Sequence, residues 1–255
     1  MKLFSDSNAK ISLVGVGLDF RAYQNRRPSL KSALLGALRL GAKESNAKKV
    51  FRALEDVHLS FSPGDRVGII GRNGAGKSSL LRTIAGIYRP SHGSVEVEGF
   101  VVPLFQVGLG FQPELTGEEN VEQAGALFGV NREEMLKRAD AIFEFAELEE
   151  FRQTPVKYYS RGMGMRLAFT SITSIQPEIL LLDEVFGGGD QGFREKAIGR
   201  MEELIDRTPI VITVSHSMNI LRRIANRVLW LDGGKIIMDG PANEVIEAYE
   251  KGFEA

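Results

Sequence analysis

Four short segments follow one another in a fixed order and carry residues suited to phosphate chemistry. They are Gly71-Arg72-Asn73-Gly74-Ala75-Gly76-Lys77-Ser78, Tyr159-Ser160-Arg161-Gly162-Met163, Ile179-Leu180-Leu181-Leu182-Asp183-Glu184, and the single residue His216. The first satisfies G-x-x-x-x-G-K-[ST]. In such a loop glycines let backbone N–H groups wrap a phosphate chain, a lysine (Lys77) reaches the terminal phosphates, and a hydroxyl (Ser78) ligates magnesium. A plain glycine turn is the competing reading, and the flanking residues speak against it. Arg66 to Ile70 reads as a buried strand, and Lys77 to Ala85, with Ser78 and Ser79 in its first turn, reads as a helix whose positive end faces the anion.

The strand Ile179 to Leu182 is wholly apolar, as a strand buried on both faces should be, so two acids at its end need a reason. Asp183 can hold magnesium through the water shell of the ion, and Glu184 is placed to polarise the water that attacks the γ-phosphate of ATP. A surface turn is the bland alternative. Ser160-Arg161-Gly162 before a helix offers a hydroxyl, backbone N–H groups and a positive helix end, a second phosphate grip whose bland counterpart is an N-capped helix. A nucleotide held by Lys77 of one subunit and by Ser160 and Gly162 of another would be buried between them. His216 follows the buried strand Ile210 to Val214, where it can hydrogen-bond the γ-phosphate; a lone histidine there is otherwise structural.

The elements that must position these residues alternate. Ile11 to Leu18 reads as an edge strand and Ala53 to Phe61 as another, with a helical insertion between them in which Leu30, Leu34 and Leu38 share a face. Ser94 to Glu98 and Phe100 to Leu104 give two more strands. A helical block from about 118 to 175 follows, broken at Gly129-Val130-Asn131 and around Thr154-Pro155. Strands and helices then alternate through Ile179 to Asp183, Gln191 to Asp206, Ile210 to Val214, a helix from Met218, Val228 to Leu231, Lys235 to Met238 and a helix from Asn243. This order predicts an α/β fold with a parallel sheet covered on both faces and ligands at the carboxyl ends of its strands.

With 255 residues, 43% apolar and 25% charged, the chain suffices for one large core and a small subdomain. Neither an apolar run of about eighteen residues nor a signal-peptide pattern occurs, so the expectation is a cytosolic chain that meets any membrane through a partner. The absence of cysteine excludes disulfide and thiolate chemistry. Residues 1 to 52 hold eleven Lys and Arg against three acids, a charge of +8 that leaves −9 for the rest of a chain with a total of −1. The segment from about 21 to 52 thus reads as a basic helical insertion. It is suited to a membrane partner and anionic headgroups, or to packing on its own core.

Taken together, these motifs resemble the nucleotide-binding subunits of ABC transporters over nearly the whole chain. The resemblance implies a P-loop NTPase core of the ABC ATPase type with an antiparallel β subdomain and an inserted α-helical subdomain, one domain over residues 1–255. By the same resemblance, Gly71 to Ser78 match Walker A, Ile179 to Asp183 Walker B, Glu184 the catalytic glutamate, Tyr159 to Met163 the signature, Asp190 the D-loop aspartate and His216 the switch histidine. Phe20 matches the aromatic that stacks on adenine, with Tyr23 as second choice. Gln112 matches the Q-loop glutamine that meets metal and attacking water, with Gln106 as the alternative. The signature Tyr-Ser-Arg-Gly-Met, the stretch Gly108 to Asn120 and Asp183-Glu184-Val185-Phe186-Gly187-Gly188-Gly189-Asp190 are similar to the branch that exports lipid-linked O-antigen, capsule and teichoic acid. The expectation is an ATPase with ATP and Mg2+ as cofactors. It would work as a head-to-tail dimer at the cytoplasmic face of the inner membrane with permease subunits and a lipid-linked glycan. An ABC ATPase for another substrate is the runner-up. A soluble relative acting on DNA or the ribosome would need a coiled-coil insertion or a second cassette, so nucleic acid is not an expected partner, and Ser160-Arg161-Gly162 with His216 argue against a metabolite kinase.

Overall fold

The computed structural model describes residues 7–21, 50–105, 110–183 and 191–252. Strand β1 (Lys10–Arg21) pairs antiparallel with β2 (Val50–Phe61), in a register that sets Phe20 opposite Phe51 and Arg21 opposite Val50. After the turn at Pro63-Gly64, β3 (Arg66–Ile70) runs into the glycine loop and helix α1 (Lys77–Ile84). Strand β4 (His92–Glu98) then returns to the free edge of β1, giving a three-stranded sheet in the order β2-β1-β4. β1 is therefore the central strand, where the sequence pattern suggested an edge. Alternation reports which face of a strand is buried, through Ile11, Leu13, Val16 and Leu18, and carries no information about how many of its edges are hydrogen-bonded.

The main sheet is built from β5 (Val101–Pro103), β6 (Ile179–Asp183), β7 (Ile210–Val214), β8 (Arg227–Asp232) and β9 (Lys235–Pro241) around β3, in the order β5-β6-β7-β3-β8-β9. All its pairings are parallel except β8 with β9, a hairpin. β6 and β7 are apolar because each is covered on both faces. Ile179, Leu181, Ile210, Ile212 and Val214 face a core shared with the small sheet and α1, while Leu180, Leu182 and Val211 face the helical side. Successive side chains of one strand thus feed two different cores.

The helical side holds α2 (Gly117–Leu127), α3 (Arg132–Ala146), α4 (Arg161–Thr173) and α5 (Gln191–Arg207); α6 (Met218–Ile224) and α7 (Ala242–Lys251) pack near β8 and β9. Thr116 and Glu119 close a capping box on α2, and Asn131 and Ser160 cap α3 and α4. Between α3 and α4 the chain leaves the helix from Glu147 to Ser160, with two short 3-10 turns, a longer break than the one expected around Thr154-Pro155. Its start at Glu147, in a left-handed conformation, has no glycine or proline to announce it. Most of the basic insertion read at 21 to 52, together with Tyr23 and Gln106, lies outside the described residues.

One buried side chain holds the start of this block. Asn120 is fully buried; its Oδ1 accepts from the Gln112 N–H at 2.6 Å, and its Nδ2 faces the carbonyl oxygens of Gln112, Leu115 and Thr116 at 2.9–3.1 Å. The same loop is laced to the segment before α4 by Gly117 N–H to Thr154, Val156 N–H to Leu115 and Lys157 N–H to Pro113. Asn120→Ala removes the partners of several buried groups at once, so it is expected to cost at least about 2 kcal/mol in urea unfolding. Asn120→Asp should cost more, because its carboxylate faces carbonyl oxygens; unfolding midpoints equal to the parent would show that water replaces the amide.

Candidate functional site

The glycine loop spans the gap between β3 and α1, and two of its residues have no alternative to glycine. Gly71 has φ 146°, and a Cβ there would lie 2.1 Å from the Leu231 carbonyl oxygen of β8; Gly76 has φ 107°, and a Cβ there would lie 2.5 Å from the Ala53 carbonyl oxygen of β2. The loop is thus clamped between strands of both sheets. A further tie comes from the β8–β9 hairpin, where Gly234 N–H donates to the Ala75 carbonyl and Glu55 N–H to that of Gly234.

The Lys77 side chain is buried under this loop, and its Nζ donates to the carbonyls of Gly71 at 2.8 Å and Arg72 at 3.0 Å. A buried ammonium needs such partners, and here they hold it beneath the arc of the loop. Gly76 caps α1 with no side-chain acceptor, so no capping side chain competes for the N–H groups of the first turn, at the positive end of the helix.

Above Lys77 lies an open cavity of about 230 Å³. The loop contributes Asn73, Gly74, Gly76, Lys77, Ser78 and Ser79; β6 contributes Asp183, the end of β7 Val214 and His216, and β2 Phe51 and Ala53. The register explains the convergence: Asp183 pairs with Val214, and Val214 with Ile69, so three neighbouring parallel strands end side by side at one edge of the sheet. Gly71, Arg72 and Ala75 frame the loop without lining the cavity, and Ala75 N–H donates to the Arg72 carbonyl at 3.1 Å.

Ser78 and Asp183 bring a hydroxyl and a carboxylate to the same cavity, a hard-oxygen donor set that fits Mg2+. Among the described residues no group of three or more His, Asp or Glu forms a metal cage.

Other residues singled out from the sequence lie elsewhere. Phe20 stands on β1 with its ring edge-on to Tyr88 at 5.3 Å, while Phe51, directly opposite it on β2 and 57% exposed, lines the cavity. The sequence pattern began β2 at Ala53 and so passed over Phe51; the signal was an aromatic two residues ahead of a cavity-lining strand position. Gln112 is exposed on the loop held by Asn120 and does not line the cavity. Ser160 and Gly162 are exposed at the head of α4, with Ser160 Oγ accepting from the Met163 N–H at 3.2 Å, and they too are absent from the cavity wall. Next to them, burial pushes the Tyr159 hydroxyl up to about 12, and that hydroxyl donates to the Phe151 carbonyl at 2.7 Å, which fixes the ring before the cap. Glu184 and Asp190 lie outside the described residues.

A glycine loop at a strand-to-helix junction, a buried lysine beneath it and a carboxylate at the end of a neighbouring strand define a P-loop nucleotide-binding fold. Within that class the chain belongs to the ABC transporter family, whose model matches residues 54–187, and it is an ATPase cassette of that family. It is 37% identical to the O-antigen export system ATP-binding protein RfbB of Myxococcus xanthus over 91% of its length, and spans 53%, about half, of that relative. It is also 39% identical to the O-antigen export system ATP-binding protein RfbB of Klebsiella pneumoniae over 79% of its length, spanning 82% of that protein. Among solved structures it resembles the dimeric post-hydrolysis state of the ATP-binding cassette MJ0796 bound to ADP and Pi. That likeness has a TM-score of 0.65 at 23% identity, over 91% of this chain and 98% of the other.

Two substitutions separate the scaffold from the ligand contact. Gly71→Ala should destabilise the fold and abolish ATP binding together, since the clash is with backbone, and a thermal melt beside an ATP titration reads both. Lys77→Ala should melt near the parent yet bind ATP at least about tenfold more weakly, from loss of a charge-assisted contact; parental affinity would remove Lys77 from the phosphate site.

Proposed function

We propose that this chain is the ATPase subunit of an exporter that carries a lipid-linked polysaccharide across the cytoplasmic membrane. Two copies pair head to tail around two ATP molecules and drive permease subunits from the cytoplasmic face. The observation that carries the reading is the separation of two phosphate grips. Lys77 and the glycine loop wall an open cavity, whereas Ser160 and Gly162 are exposed at the head of α4 and do not line it. A second copy supplies what the first lacks. The substrate class follows the names of the relatives, two of which are O-antigen export proteins. A peripheral location agrees with the helices of the described residues, none of which is long and apolar enough to cross a membrane.

In this reading the loop N–H groups and the Lys77 ammonium hold the β- and γ-phosphates, and Phe51 or Phe20 borders the base. Ser78 and Asp183 hold Mg2+, which supplies charge neutralisation on the phosphate oxygens when bound. Glu184 accepts a hydrogen bond from the attacking water, His216 donates one to the γ-phosphate, and Ser160 with Gly162 and Asp190 of the other copy close over the nucleotide. Water adds to the γ-phosphorus, the bond to the β–γ bridging oxygen breaks, and ADP and inorganic phosphate leave. The basic insertion serves contact with the permease or anionic headgroups.

Glu184→Gln tests the chemistry. ATP binding should persist while turnover falls by about 10²-fold or more, because an amide polarises water poorly and the phosphate grip is untouched; near-parental turnover would remove Glu184 from that role. Ser160→Arg tests the assembly. Turnover should be lost while a single copy still binds ATP; full activity would mean that the nucleotide is not shared between copies. Co-purification with an integral membrane permease, and loss of surface polysaccharide in a Glu184→Gln strain, test the transport assignment.

A further inference from the structure

Glu147 ends α3 with φ 57° and ψ 49°, a left-handed cap position that glycine or asparagine ordinarily takes. Among the described residues Asp56 is the one other non-glycine with positive φ. Glycine would close the helix with less strain, so what the Glu147 side chain touches explains its presence. Its carboxylate receives Nη1 of Arg166 on α4 at 3.4 Å and the Lys196 ammonium on α5. Arg166 is the group that needs it. Its side chain is 17% exposed, its Nε is buried with no hydrogen-bond partner, and its guanidinium lies over the Phe193 ring of α5 at 5.8 Å. Phe193 in turn meets Phe145 of α3 and Phe169 of α4 edge-on, each at 5.9 Å. The end of α3 and the bodies of α4 and α5 therefore meet around one carboxylate.

From these contacts we infer that Glu147 is a positioning residue for ATP hydrolysis. It fixes the direction of α4 against α5, and with it the placement of Ser160 at the head of α4. Glu147 itself does not line the nucleotide cavity. Removing its charge leaves the Arg166 guanidinium half-enclosed and without a counter-ion, and such a group turns toward water, drawing α4 away from α5. The inference rests on the reading of Ser160 as a group that closes on the other copy's nucleotide.

The test uses the full chain with Glu147→Gly, which relaxes the backbone while deleting the carboxylate, and Glu147→Gln, which keeps the size and removes the charge. In both, kcat should fall about tenfold, from misdirected closing groups. The dissociation constant for a fluorescent ATP analogue should change by less than about twofold. Glu147→Gly should melt near the parent, because the relaxed backbone offsets much of the lost ion pair. Parental kcat in both variants, or a fall in kcat matched by a fall in melting temperature, overturns the inference. Ser160→Arg, measured alongside, separates the two failures. If it is inactive while the Glu147 variants turn over normally, only the positioning role is lost. If it keeps full turnover, the shared-site reading fails and takes this inference with it.

Discussion

The close approach of the glycine loop to two carbonyl oxygens, Leu231 in the main sheet and Ala53 in the small one, is the constraint on which the rest of this fold depends. Neither approach tolerates a Cβ, so the loop conformation, the path of β2 and the position of the β8–β9 hairpin are set jointly. Under that clamp a lysine can be buried, because two loop carbonyls answer its charge at 2.8 and 3.0 Å. In the proposed phosphate site, a ligand would meet donors already arranged, with little ordering left to do on binding.

The glycine loop and Asp183 were legible because each is dictated locally. A glycine at φ 146° cannot be another residue, and a wholly apolar strand delivers Asp183 to the rim of the sheet, where a carboxylate can meet an ion. The alternation of the core was legible for the same reason, since Leu180 and Leu182 answer to one core and Leu181 to another. What escaped the sequence is what long-range pairing decides. The central place of β1 depends on an edge that alternation does not report. Phe51 reaches the cavity because β2 begins three residues before the pattern suggested. Glu147 ends a helix without a glycine because its carboxylate is engaged by residues 19 and 49 positions further on. Gln112 was assigned by resemblance alone, and its loop is tied to the buried Asn120, outside the cavity wall.

The helical side adds polar ties to its one apolar cluster, which joins Val121, Phe143, Leu167 and Met201. Asn120, the backbone lacing between the Gln112 loop and the segment before α4, and the Arg152 pairs with Glu118 and Asp140 join α2, α3 and the approach to Ser160 into one piece. The arginine keeps the Glu118 carboxyl below the usual carboxylate range.

The pairing of Arg21 with Val50 has a consequence of a different kind. The chain leaves β1 and re-enters β2 at neighbouring points, so the 28 residues between them begin and end side by side. Loop-closure entropy grows only with the logarithm of length, and the β1–β2 ladder has already met most of it. The length of that stretch is therefore only weakly constrained by closure, since adding or removing residues there leaves the β1–β2 register unchanged.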